Sequence, residues 1–160
     1  MDLSVRKRPT KEIRKMRTFL TAAVAGTAFA LALAVGAPAN AAAITYKADM
    51  TGAQETPATD SKGKGSVDAA YDPATKMLTW TITYSDLTGA AKAAHFHGPA
   101  KVGVKAAPVV PITGDLKSPI KGSATLTDQQ AKDLGAGMWY FNVHTAKFPD
   151  GEIRGQLMKK

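Results

Sequence analysis

Leu78-Thr79-Trp80-Thr81-Ile82-Thr83-Tyr84 alternates large apolar residues with threonines along its whole length. Alternate side chains of an extended chain share a face. Leu78, Trp80, Ile82 and Tyr84 therefore form one apolar surface and the β-branched threonines a wet one, the pattern of a half-buried strand. Asp72-Pro73-Ala74-Thr75 just before it is a turn signal, and Gly65 to Tyr71 is a suitable hairpin partner. Further strands are expected at Ile44 to Met50, Ala93 to His97, Val109 to Ile112, Ser118 to Leu126, Gly137 to His144 and Glu152 to Met158. About eight short strands punctuated by Gly, Pro and Asp argue for an all-β fold, an antiparallel, Greek-key-like β-sandwich.

One helical turn interrupts the strands. Thr127-Asp128-Gln129-Gln130 has the form of a capping box, and Gly135 offers a left-handed stop, so a short helix is expected from Asp128 to Leu134. Leu134 and Ala131 are its core-facing residues, and its task is to cross between sheets. Trp80, Trp139, Phe141 and Tyr71 read as core or rim aromatics rather than a ligand platform.

Residues 1–41 have the layout of a cleaved secretory signal peptide. Arg6, Lys7, Arg8, Lys11, Arg14, Lys15 and Arg17 form a basic region, Phe19 to Val35 is uncharged and apolar, and Ala37-Pro38-Ala39 and Ala39-Asn40-Ala41 are small-x-small cleavage sites. A cut after Ala41 is expected, and Met16 is an alternative start. A retained anchor is the other reading of the apolar run, which at about 17 residues sits at the short limit for a span. No twin-Arg motif of the usual kind is evident, so export by the general route to the periplasm or the medium is expected.

The leader also accounts for most of the basicity. Seven of the 21 Lys and Arg and two of the 13 acids lie in it, which leaves 14 basic against 11 acidic residues, a net of +3. The remaining cations are scattered beside Gly, Ala and Pro with no interleaved aromatics to stack bases, which argues against nucleic acid as a partner. No membrane association is expected once the leader is removed. The segment 42–160 is long enough to form one domain with its own core. It has no cysteine, which excludes disulfides, thiolate nucleophiles and Cys-based zinc sites together.

All three histidines fall in two of the expected strands, in Ala94-His95-Phe96-His97-Gly98-Pro99 and in Tyr140-Phe141-Asn142-Val143-His144-Thr145. A His-x-His pair on a strand points both imidazoles to one face, roughly 7 Å apart along the chain. A third imidazole from a neighbouring strand would complete a metal site. Asn142 and Tyr140 share the face of His144, and Asn142, Asp150 and Glu152 are candidates to fix the imidazole tautomers. The structural alternative is that His95 and His97 bond around the Gly98-Pro99 turn and His144 bonds a carbonyl in the Thr145 to Phe148 turn.

Three blocks carry a family resemblance: Thr51-Gly52-Ala53-Gln54-Glu55-Thr56-Pro57; Ala94-His95-Phe96-His97-Gly98-Pro99-Ala100; and the run from Leu134 through Trp139-Tyr140-Phe141-Asn142-Val143-His144-Thr145 to Phe148-Pro149-Asp150-Gly151-Glu152-Ile153-Arg154-Gly155-Gln156-Leu157. In this order they resemble the CHRD domain, named after chordin, over essentially all of residues 42–160. The resemblance implies an exported module, since such domains occur in bacterial exported proteins and in an animal extracellular antagonist.

A looser similarity is to the copper-zinc superoxide dismutases, Greek-key sandwiches that hold copper through a His-x-His strand pair and further histidines, with an arginine near the metal that attracts the anion. His95, His97 and His144 match that layout, while the missing cysteine and the missing zinc-loop ligands depart from it. The resemblance implies a single-metal site with an open position. Imidazoles without thiolate favour copper(II), zinc or nickel, and copper stands highest in the affinity order, with zinc as the alternative. Superoxide dismutation is the activity such a copper site would support. Arg154 is the residue expected to guide a small anion such as superoxide, because guanidinium is always charged; its alternative is a rim salt bridge to Asp150 or Glu152.

The reading is therefore an exported copper-binding protein. The alternative is a non-catalytic extracellular module that binds a protein partner and uses its histidines structurally. No Gly-x-Ser-x-Gly elbow, P-loop or dinucleotide fingerprint occurs in the chain. Asp150 and Glu152 are the only carboxylate pair placed for glycoside chemistry, on a shared strand face.

Overall fold

The computed structural model describes residues 42–160; the expected leader and its cleavage sites lie outside the described residues. The alternating segment forms β3 (Met77–Ser85), with Leu78, Trp80 and Ile82 buried. It pairs antiparallel with β2 (Lys64–Asp72) across the turn that Asp72 organises, its carboxylate accepting from Ala74 N and Thr75 Oγ1 at 2.8 Å each. Before these comes β1 (Ile44–Thr51). After them come β4 (Ala91–His97), β5 (Pro108–Pro111), β6 (Ile120–Thr125), β7 (Tyr140–Thr145), β8 (Ile153–Gln156) and β9 (Met158–Lys159).

The all-β, antiparallel class expected from the sequence is the class observed. The strands form one hydrogen-bonded path, β5-β4-β7-β8-β1-β2-β3-β6, with β9 added to β1. Two four-stranded halves meet where β8 pairs with β1 at Thr51 and Arg154. The free edges of β5 and β6 approach each other across a groove lined by Val109–Thr113 and Lys121–Thr125, so the sheet is nearly closed.

Inside lies a single apolar core. Phe96 is its hub, with Trp80, Phe141 and Trp139 at centroid distances of 5.2, 4.7 and 6.0 Å. Trp80 and Phe96 come from opposite halves of the path, so their edge-on contact joins the halves as well as filling space. Leu78, Val67, Ile82, Val143, Ile153 and Leu157 complete it, each fully buried.

The helix α1 (Asp128–Gly135) lies between β6 and β7 and carries the chain from one half to the other, as expected. Its capping box is present: Thr127 Oγ1 accepts from Gln130 N at 3.2 Å and Gln130 Oε1 accepts from Thr127 N at 2.8 Å. Leu134 is buried and Ala131 packs against the core. The stop differs from expectation. Gly137, at φ +70, is the left-handed residue, and Met138 N and Gly137 N donate back to Asp133 O and Leu134 O, the paired bonds of a glycine-terminated helix end. That exit keeps Gly137 to Trp139 out of β7, which starts at Tyr140. The last expected strand is divided into β8 and β9, because Leu157 turns into the core while its N–H donates to Trp139 O. Among the described residues no helix is long and apolar enough to cross a membrane.

Candidate metal centre

The strands that send Phe96, Phe141, Val143 and Ile153 into the core send the alternate residues to the opposite face. On β4, β7 and β8 these are His95, His97, Tyr140, Asn142, His144, Arg154 and Gln156, a polar layer of which all but His95 and His144 are buried. The chain segments 52–62 and 98–107 contact it: Thr56 and Val104 bond Arg154, and Ala106 bonds His97.

Register sets the geometry. Asn142 stands directly across from His95 on one side and Arg154 on the other, and Tyr140 stands across from His97. The same register sets His144 opposite Ala93, before the ladder shifts toward Ala91, so all three imidazoles crowd around Asn142. His95 Nδ1 lies 3.2 Å from His144 Nε2, and ligand-capable nitrogens of the three histidines lie within 4.8 Å of one another. Ligands held at about 2 Å by one ion lie about 3 to 4 Å apart, a spacing that the His95–His144 pair already has and that the widest pair exceeds.

The tautomers are set from outside the cluster. His97 Nδ1 donates to Ala106 O and His144 Nδ1 donates to Pro149 O, each at 2.9 Å. A carbonyl cannot donate, so the proton of each neutral ring sits on Nδ1 and the lone pair on Nε2 faces inward. Those two Nε2 atoms then meet Asn142 Oδ1 at 2.9 and 3.0 Å. Three acceptors thus converge, and His95 Nδ1 faces the same space: carrying the ring proton it serves only the lone pair of His144, and with the proton on Nε2 it adds a lone pair of its own. Protonating the rings would repair the mismatch, but burial lowers the pKa of His97 by more than the bonds from Ala106 and Asn142 raise it, and the charges of His144 and Arg154 lower it a little further. Burial and the charges of His144 and His97 lower that of His95 as well. A bound cation satisfies the same lone pairs without that cost, and the donors fit copper or zinc.

The structural alternatives for the histidines are met only partly. His97 reaches Ala106 rather than the Gly98-Pro99 turn, and His144 reaches Pro149, just beyond the turn expected to hold it.

Arg154 makes no salt bridge to Asp150 or Glu152. It is 2% exposed, its guanidinium lies 3.4 Å from the centroid of the Tyr140 ring, and Nη2 donates to Val104 O at 2.9 Å. Tyr140 in turn stacks on His97 at 4.6 Å with the planes 4° apart. The guanidinium therefore sits behind the cluster, one ring removed from it. The Tyr140 hydroxyl bonds the Ala106 backbone.

Of the three expected tautomer-fixing residues, Asn142 alone touches the imidazoles. Asp150 is exposed, and Glu152 binds Ser61, Thr88 and Thr145. Two residues that sequence reasoning missed stand out: Ala106, whose carbonyl orients His97, and Glu55, which is 8% exposed and accepts from Asn142 Nδ2 at 3.3 Å. Glu55 had a signal, since it lies in the first block of the family resemblance, but nothing in its loop neighbours tells that it is buried.

Fold and site together define an all-β domain with a three-imidazole cluster on the polar face of its sheet. The family model for the CHRD domain matches residues 46–157, most of the chain, and the chain belongs to that family. No curated protein and no solved structure matches it.

Proposed function

We propose that this CHRD protein is exported, loses residues 1–41, and binds a single copper ion through His95 Nδ1, His97 Nε2 and His144 Nε2, with zinc as the competing ion. The observation that carries the reading is the pair of backbone carbonyls, Ala106 O and Pro149 O, that turn the lone pairs of two different strands toward one point. Copper held there with an open position would supply one-electron exchange with a small anion, superoxide being the substrate proposed. The protein's own part is to present neutral imidazoles, to hold them with the Asn142 amide, and to place the positive charge of Arg154 behind His97. Because its guanidinium is stacked and buried, Arg154 draws an anion through its field and does not grip it.

The test is metal analysis of the purified protein followed by titration. One copper per chain is expected, lost in the H97A/H144A double variant while the far-ultraviolet circular dichroism is unchanged. Metal content equal in the two proteins overturns the reading. Superoxide consumption by the copper-loaded protein should exceed that of free copper; equality reduces the function to copper carriage.

One observation favours a second reading, a module that binds a protein partner. The tight turn from Lys101 to Val104, with Gly103 at φ +78, leaves Val102 74% and Val104 52% exposed between Lys101 and Lys105. Exposed apolar side chains ringed by charge fit an acidic protein surface.

A further inference from the structure

Glu55 lies outside both histidine segments, yet its carboxylate ends one residue away from the cluster. Oε1 accepts from Asn142 Nδ2 at 3.3 Å and Oε2 accepts from Thr56 N at 3.2 Å. Gly151, at φ +130, lets the backbone close against it; a Cβ there would overlap the carboxylate. None of the salt bridges among the described residues involves Glu55. The charge of Arg154 acts on Glu55 without a direct bond, and the converging acceptors on the other side of Asn142 are left with no cation of their own.

An asparagine amide has two unlike ends. Turned one way, its NH2 would donate to the lone pairs of His97 and His144 and satisfy them with no ion present. Its oxygen would then face the Glu55 carboxylate, acceptor against acceptor. Glu55 selects the other orientation, with NH2 toward the carboxylate and Oδ1 toward both Nε2 atoms. Resting on the metal reading above, we propose that Glu55 is a positioning residue that locks the Asn142 amide so that Oδ1 becomes the fourth donor, making a centre of three nitrogens and one oxygen. An amide oxygen is a hard donor, so the lock also favours divalent ions over copper(I).

The sequence makes this testable at one atom, because Asn142 is the only asparagine among the described residues. In protein grown with asparagine labelled with carbon-13 at the side-chain carbonyl and loaded with one equivalent of copper(II), pulsed electron paramagnetic resonance should show a carbon-13 coupling to the metal. E55Q should weaken that coupling and lower copper(II) affinity, read by chelator competition, by about 10- to 100-fold. N142D keeps an oxygen in place and should retain affinity better than N142A. Copper bound by the three histidines without carbon-13 coupling, and with wild-type affinity in E55Q, overturns the inference while leaving the metal reading intact. If wild-type protein takes up no copper or zinc at all, both fail. The coupling is measured on unsubstituted protein, so a variant that folds poorly does not shield the proposal.

Discussion

Glu152 shows how one side chain can tie the chain together while leaving no trace in the local sequence. It is fully buried, and its carboxylate accepts from Ser61 Oγ at 2.6 Å, Thr88 N at 2.7 Å, Thr88 Oγ1 at 2.8 Å and Thr145 Oγ1. Burial is the largest single influence and pushes its pKa up, but the bonds from Ser61, Thr145 and Thr88 together outweigh it, and the net shift is downward. A carboxyl whose folded pKa lies below its unfolded value stabilises the fold above the unfolded pKa of about 4.3, and that contribution fades as pH falls through the folded value. E152Q should therefore cost about 1.5 to 3 kcal/mol at pH 7 by urea unfolding, the range for hydrogen bonds to a charged group. The cost should shrink in acid; a difference independent of pH would show that the ionised form is not what the bonds hold. The donors come from three separate segments, so no spacing pattern could reveal them, and the same holds for Glu55 with Asn142. The histidines were legible because two share a strand and the third falls on another, where alternation alone assigns a face.

Among the elements, the most local signals were read most fully. The alternation of Leu78 to Tyr84 marked β3, and the Thr127 capping box marked the start of α1, because both depend on neighbours a few residues apart. The left-handed residue after α1 is Gly137 and not the expected Gly135, since two glycines stand two residues apart and only tertiary packing decides which takes the positive φ. T127A should destabilise the protein by about 1 kcal/mol, the usual value of a helix cap, without changing metal uptake, since α1 contributes no residue to the cluster. Phe96 behaves differently. It sits between His95 and His97 in sequence and at the centre of the aromatic core in space. F96A should cost about 3 to 5 kcal/mol and also weaken copper binding, because the side chain that seats the His-x-His strand is gone. Thermal unfolding and copper titration of both variants check this; a T127A protein that loses copper while F96A retains it would contradict the assignment of roles.

At the scale of the molecule, the class followed from the sequence, and the strands did apart from the division of the last one, but strand order did not. Alternation says which face each residue takes and nothing about which strand lies beside it. The meeting of β4 with β7, and the closure of β8 on β1 at Thr51 and Arg154, join segments far apart in the chain. That order nevertheless builds the cluster, because β4 beside β7 places Asn142 among the imidazoles and β7 beside β8 places Arg154 behind Tyr140. The looser resemblance to the superoxide dismutases supplied Arg154 as a residue of interest, while its stacking on Tyr140 required the fold. The central claim is that the polar face of this sheet is a metal centre, and the most direct measurement is anomalous diffraction at the copper edge from crystals of the copper-loaded protein. A single strong peak about 2 Å from His95 Nδ1, His97 Nε2 and His144 Nε2 is the predicted result. A map with no peak at that point, or with copper bound only elsewhere on the surface, would contradict it.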